Sequence, residues 1–266
     1  MDYEKIDAIR WSQLKYMRTS PLAYKHALES PFTGSDLTRI GTCIHAYVLE
    51  PDTFDERFVV YEDRRQGKKW DAFKAEHEAA GKEILSRSEY DRAIGAGRSV
   101  LSSPIAMQYL EHGIKESVVT WTDPGTGLRM KAKPDNASRW LVELKSTAVI
   151  EPERFPAQVA RMGYHGQCGV YIDGLRANGI EVEDEAIIPA VQSEPPFDCV
   201  VYRLEPHVID EGRRLYKSLL ERVAECMERD NWPGIAQDVV PLDLPTWAYT
   251  DDDLGLTMGG ESLEVA

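Results

Sequence analysis

Apolar residues recur at helical spacing through the first third of the chain. In TSPLAYKHALES, Ser20 stands where a helix cap belongs and Pro21 at the first helical position, where a missing N–H costs nothing. In SDLTRIGTCIHAYVLEP, Ile40, Ile44, Tyr47 and Val48 share one face, with Ser35 as the expected cap and Pro51 as the stop. A short strand, RFVVY (57–61), a basic loop, RRQGKK, and two helical stretches near 69–82 and 88–111 follow. The pattern then shifts to alternation. ESVVTW (116–121) and LRMKAKPD (128–135) flank DPGTG and predict a hairpin, and WLVELKS (140–146) predicts a third strand. A long helix is expected from Glu151-Pro152 to about 177, then two strands, EAIIPAVQS and DCVVYRL, and a last helix from Pro206 to about 229. This order predicts one α/β domain over residues 1–249, with a mixed sheet of about five strands covered by helices. The segment 250–266 reads as a disordered acidic tail.

Composition narrows the partners only a little. The 266 residues carry a net charge of −14, but eight acids and no Lys or Arg lie from Asp230 onward, which leaves −6 over the first 229 residues. Charge neither excludes nor suggests a polyanionic partner. Cys43, Cys168, Cys199 and Cys226 form no close pair, so a disulfide framework or a thiolate metal site is not expected. There is no apolar run of membrane-spanning length and no secretory leader pattern at the start, so the expected setting is the cytoplasm, with no membrane association.

The chemistry concentrates in KPDNASRWLVELKST. Alternation along a strand puts Glu143 and Lys145 on one side while Val142 and Leu144 enter the core. On the preceding strand Arg129, Lys131, Lys133 and Asp135 share one parity, a polar row ending in a carboxylate. If the two strands pair, Asp135 and Glu143 converge beside Lys145, which suits a magnesium site where a metal-bound water is activated, and the three cations would line the approach of a phosphate backbone. Composition alone yields about two Asp/Glu-x-Lys triplets by chance, so the triplet is weak by itself, and a surface ion pair is the bland reading. His45 lies on the first long helix with Gly41 one turn earlier, and Tyr164, Gln167 and Tyr171 share a stripe of a later one.

Taken together, GxxxHAxVLEP, PD-x7-ELKST, YHxQxxxYxDG, EPPF, WPG and LPTWA resemble, in this order, the RecE-like phage exonucleases of the PD-(D/E)xK nuclease superfamily. That resemblance implies a restriction-endonuclease-like α/β fold. It implies Asp135 and Glu143 as metal carboxylates, Lys145 as the residue positioning the attacking water, and His45 and the Leu144 carbonyl as further metal ligands. Gln167 and Tyr171, with Tyr164 nearby, would support the site and the DNA strand. Mg2+ is the implied cofactor, with Mn2+ substituting. The implied activity is 5′-to-3′ resection of linear double-stranded DNA ends, leaving 3′ overhangs for a RecT-like single-strand annealing protein, by a ring-shaped homo-oligomer. A structure-specific or single-strand endonuclease, and an inactive DNA-binding protein on the same fold, are the alternatives. Arg10, Lys15, Arg18, Lys25 and Arg39 are the candidates for capturing a 5′-phosphate.

Overall fold

The computed structural model describes residues 3–30 and 36–249; the Ser35 cap and the acidic tail expected from the sequence lie outside the described residues. Ser20 accepts the Ala23 N–H at 3.0 Å, as its position predicts, and starts α2. The order of elements is α1 (Trp11–Leu14), α2 (Pro21–Glu29), α3 (Asp36–Leu49), α4 (Phe54–Arg57), β1 (Phe58–Tyr61), α5 (Gly67–Ala79), β2 (Glu83–Ser86), α6 (Arg87–Ser102) and α7 (Pro104–Leu110). Then come β3 (Ile114–Lys115), β4 (Val119–Thr122), β5 (Arg129–Ala132), β6 (Asn136–Ala137), β7 (Leu141–Val142) and β8 (Lys145–Thr147). The chain continues through α8 (Phe155–Met162), α9 (Tyr164–Ala177), β9 (Ala186–Gln192), β10 (Cys199–Leu204) and α10 (Pro206–Arg229).

The central sheet has six strands in the order β10-β9-β7-β6-β3, with β8 also pairing β9. It is mixed: β7 and β8 run parallel to β9, and the other pairings are antiparallel. Strand β9 explains the layering. Ile187 and Val191 pack into a core with Ile40, Ile44, Val142 and Leu144, on the side of α3 and α6. Ala186, Ile188 and Ala190 pack on the opposite side, with Leu141 and with Ile172 and Leu175 of α9. A sheet covered on both faces needs strands apolar at successive positions, which AIIPAV supplies. Each fully buried Ile or Leu contributes about 1.5–3 kcal/mol. This is the restriction-endonuclease-like α/β fold.

Four local expectations change. The hairpin exists as β4–β5, closed by Asp123, whose Oδ2 accepts from the N–H groups of Gly125 and Thr126, but it is a separate two-stranded sheet. WLVELKS is split into β7 and β8, with Glu143 and Leu144 between them. The long helix to 177 is interrupted at Gly163, whose φ of 73° ends α8 in the left-handed conformation that glycine adopts without a Cβ penalty. Finally EILS forms β2, parallel to β1, a strand too short to be seen in the hydrophobic pattern.

Candidate active site

The interruption of the third strand builds the centre of the site. Two reciprocal hydrogen bonds tie its carboxylates to backbone: Asp135 Oδ2 accepts the Leu144 N–H at 2.8 Å, and Glu143 Oε1 accepts the Asp135 N–H at 3.2 Å. The Glu143 N–H in turn donates to the Ile187 carbonyl at 2.9 Å, which anchors the break to β9. Glu143 Oε2 accepts from Lys145 Nζ and from Gln167 Nε2, both at 2.9 Å. Glu143 is almost completely buried, and the Lys145 ammonium lies 5.3 Å from the centre of the Tyr164 ring. Tyr171 is half-buried near the same carboxylate; burial first, then the Glu143 charge, pushes its hydroxyl well up.

The N-terminal helix closes the site from the other layer. Gly41 of α3 faces β8 so closely that an added Cβ would stand 3.0 Å from Ser146 Oγ. One turn later His45 Nδ1 lies 3.3 Å from Asp135 Oδ1. Burial alone would lower the pKa of this imidazole, but the Asp135 carboxylate outweighs it and holds it up. Asp135 shows the reverse balance: burial pushes its carboxyl up, while His45 and Lys145 bring it below its usual value. Glu143 is raised to about 7, by burial first and the neighbouring Asp135 second, against the lowering pull of Lys145. Two buried carboxylates thus differ in their affinity for a proton because one has the imidazole and the other has the deeper burial.

A residue that strand alternation did not single out completes the cluster. His45, Glu116 and Asp135 each offer a ligand atom within 4.8 Å of the others. Glu116 sits just before β4 with φ of 52°, and its N–H donates to the Asp135 carbonyl at 3.1 Å. A left-handed residue between two short strands leaves no periodic trace, so spacing gave no signal for it. Its carboxyl is raised by burial, partly offset by the ion pair with Lys133. Glu143 lies beside this trio, its oxygens engaged as above. Two carboxylates and an imidazole at this spacing, with Glu143 adjacent, suit a divalent cation of the Mg2+ or Mn2+ type.

The three cations of the hairpin do not form one row. Lys131 is buried, its ammonium donating to the carbonyls of Tyr3 at 2.9 Å and Ile6 at 2.8 Å. It holds the N-terminal segment against β5, where Ile9 bridges Met130, and this corrects the expectation that it lines a phosphate backbone. Arg129 is exposed at the far end of β5, six residues and therefore about 20 Å along an extended chain from Asp135. Lys133 alone stays at the rim. It opens on a cleft of about 900 Å³ lined by Tyr3, Arg10, Ser12, Glu116, Lys133 and Tyr171.

The N-terminal cations also separate. Arg10 lines the cleft, paired with Glu4 at 2.6 Å, while its buried Nε has no hydrogen-bond partner among the described residues. The Lys15 ammonium is lowered by burial and by the charge of Lys145. Arg18 donates to the carbonyls of Arg161 and Ala160, Lys25 lies over the Trp232 ring, and Arg39 pairs with Glu89 and Glu83.

Among solved structures, the chain is similar to a "Putative exonuclease" from Eubacterium rectale, with a TM-score of 0.63 at 14% identity, covering 95% of this chain and 94% of that one. Another structure, SSO0001, matches 66% of this chain and 84% of its own at 12% identity with a TM-score of 0.28, too low to carry an argument. No curated protein matches the sequence. No helix among the described residues is long and apolar enough to cross a membrane. Residues 11–240, which include His45, Glu116, Asp135, Glu143, Lys145 and Gln167, match the family described as PDDEXK-like domain of unknown function (DUF3799), and the chain belongs to that family.

Proposed function

We propose that this protein is a divalent-metal-dependent deoxyribonuclease that degrades linear duplex DNA from its ends, 5′ to 3′, leaving 3′ single strands for an annealing protein. The observation that carries the reading is the convergence of His45, Glu116 and Asp135 beside the Glu143–Lys145 pair. His45, Glu116 and Asp135 would hold the cation, with Glu143 and the Leu144 carbonyl as further donors. A bound Mg2+ or Mn2+ supplies two things, a more acidic water and neutralisation of phosphate charge.

The chain's own groups do the rest. Lys145 holds an ammonium next to the place of attack; buried against Glu143, it donates hydrogen bonds without losing its charge. Gln167 fixes the second oxygen of Glu143 and so keeps that carboxylate turned toward Lys145. Tyr164 and Tyr171 wall the site from α9. The cleft next to Glu116 has a volume of about 900 Å³, and Arg10 is the cation we assign to a terminal phosphate, since it lines the cleft and its exposed partner there, Glu4, is one that another anion could replace.

The test uses magnesium or manganese, a linear duplex labelled at either end, and a closed circle of the same sequence. Loss of the linear DNA with release of the 5′ label and an intact circle is the expected result. Nicking of the circle would replace the reading with an endonuclease, and binding without any cleavage would leave a DNA-binding protein.

A further inference from the structure

A strongly basic run of this acidic chain lies outside the site described above. RRQGKKWDAFK, from Arg64 to Lys74, carries five cations and one acid, against a net charge of −14 for the whole chain. It starts in the loop after β1 and ends inside α5. α5 buries none of its residues, so packing does not account for what it displays. Its hold on the body is aromatic: Trp70 and Phe73 lie against Tyr61, with ring centres 5.0 and 4.9 Å away. Arg64, Lys68 and Lys69 are exposed and pair with no acid among the described residues. Three such cations within six positions repel one another and raise a local positive field that attracts an anion from outside.

Beside them a cavity of about 420 Å³ opens between α5, β2 and the start of α3, where Arg39, Arg65, Lys74 and Lys82 surround Trp70, together with Glu78 and Glu83. Two of these cations are fixed in place: Glu89 holds Arg39 at 2.5 Å and Arg65 at 2.6 Å. The Arg65 guanidinium in turn lies 5.7 Å from the centre of the Trp70 ring. An aromatic ring set among cations is what an unpaired nucleic acid strand binds, its bases stacking on the ring while its phosphates meet the charges. A duplex cannot use the ring, because its bases already stack on one another. We propose that this cavity and its edge form a binding site for single-stranded DNA, a base stacking on Trp70 while Arg64, Lys68 and Lys69 take the neighbouring phosphates. The proposal rests on the nuclease reading above, since resection is what supplies an unpaired strand. The fold places the site suitably: Arg39 and His45 both belong to α3, six residues and therefore about 9 Å apart along its axis, a few nucleotides of strand.

The experiment is fluorescence anisotropy of the full chain with a labelled oligothymidylate of about 15 nucleotides, and with a duplex of the same length, in chelator and over a range of salt. Two variants stand beside the native protein, Lys68→Glu with Lys69→Glu, and Trp70→Ala. Both lysines are exposed, so the first variant keeps its native circular dichroism and decides the question even if Trp70→Ala unfolds. The lysine variant should bind the oligothymidylate at least about tenfold more weakly, and the slope of log affinity against log salt should fall by about 1.4, the share of two phosphate contacts. Trp70→Ala should bind about tenfold more weakly with the slope unchanged, because the ring carries no charge. Absence of single-strand binding by the native protein, single-strand affinity that the lysine variant leaves intact, or an equal loss on the duplex overturns the proposal. Cleavage is measured separately with metal present. DNA cut by a protein whose single-strand binding ignores these changes sinks this site alone, whereas single-strand binding that follows them without any cleavage sinks the nuclease reading alone.

Discussion

Replacing Lys145 by Met keeps the length and apolar stem of the side chain and removes only the ammonium. What remains is Glu143, 1% exposed and short of one of its three donors, the others being Gln167 and the Asp135 N–H. Removing one partner of a buried ion pair usually costs about 3–5 kcal/mol. Glu143 has an escape, because its carboxyl is already raised to about 7 and takes up a proton instead. Its pKa in the folded state lies above the unfolded value of about 4.3, so its contribution favours the folded state at low pH and is lost as pH climbs through about 7. Without the ammonium the folded value rises further, and the loss continues above pH 7 at about 1.4 kcal/mol per unit. We therefore expect K145M to be destabilised by about 1 kcal/mol at pH 6, the worth of one hydrogen bond, and by about 3 kcal/mol at pH 8.5. Urea denaturation of native and variant protein in chelator at the two pH values measures this. The same variant should lose DNA cleavage by about 100-fold or more, as expected on removing a positioned donor. An equal stability loss at pH 6 and pH 8.5 would refute the account of Glu143, and native cleavage would refute the role given to Lys145.

Glu116→Gln should weaken Mn2+ binding by at least about tenfold in a calorimetric titration while leaving the melting temperature nearly unchanged, since Lys133 keeps a hydrogen-bond acceptor. Gly212→Ala should cost about 1–3 kcal/mol in thermal unfolding, because its Cβ would stand 2.0 Å from the His165 carbonyl oxygen and force α10 away from α9. Glu89, capping α6 and paired with Arg39 and Arg65, has a carboxyl that burial pushes up but Ser86 and the two guanidinium groups hold below its usual value. Its stabilisation is present above about pH 4.3 and lost as pH falls through the depressed value. Glu89→Gln should therefore cost about 1–2 kcal/mol at pH 7 and less near pH 3, as denaturation at both pH values would reveal.

The sequence announced the site wherever the chemistry followed strand alternation. Glu143 and Lys145 could be placed together because residues two apart share a side, and Asp135 joined them if the two strands paired, whereas His45 was brought to them only by the family resemblance, Gly41 one turn earlier being merely compatible with close approach. Parity failed at Lys131 for a physical reason: the N-terminal segment runs along β5 and its carbonyls turn an outward position into an inward one, a contact between residues more than 120 positions apart. It failed at Glu116 because backbone conformation and not periodicity aims that side chain. The layering of the sheet was legible in AIIPAV, whose unbroken apolar run needs cover on both faces. The break between β7 and β8 was not, since no glycine or proline marks it.

The paired backbone clamps on Asp135 and Glu143 have a bearing on how quickly the enzyme is ready for work. Their oxygens are posted by main-chain amides, so arming the centre calls for no folding event and no swing of a loop. On the proposed metal-dependent reading, activation would be paced by the ion losing its hydration water, and chelation followed by readdition of Mg2+ or Mn2+ should erase and fully restore activity.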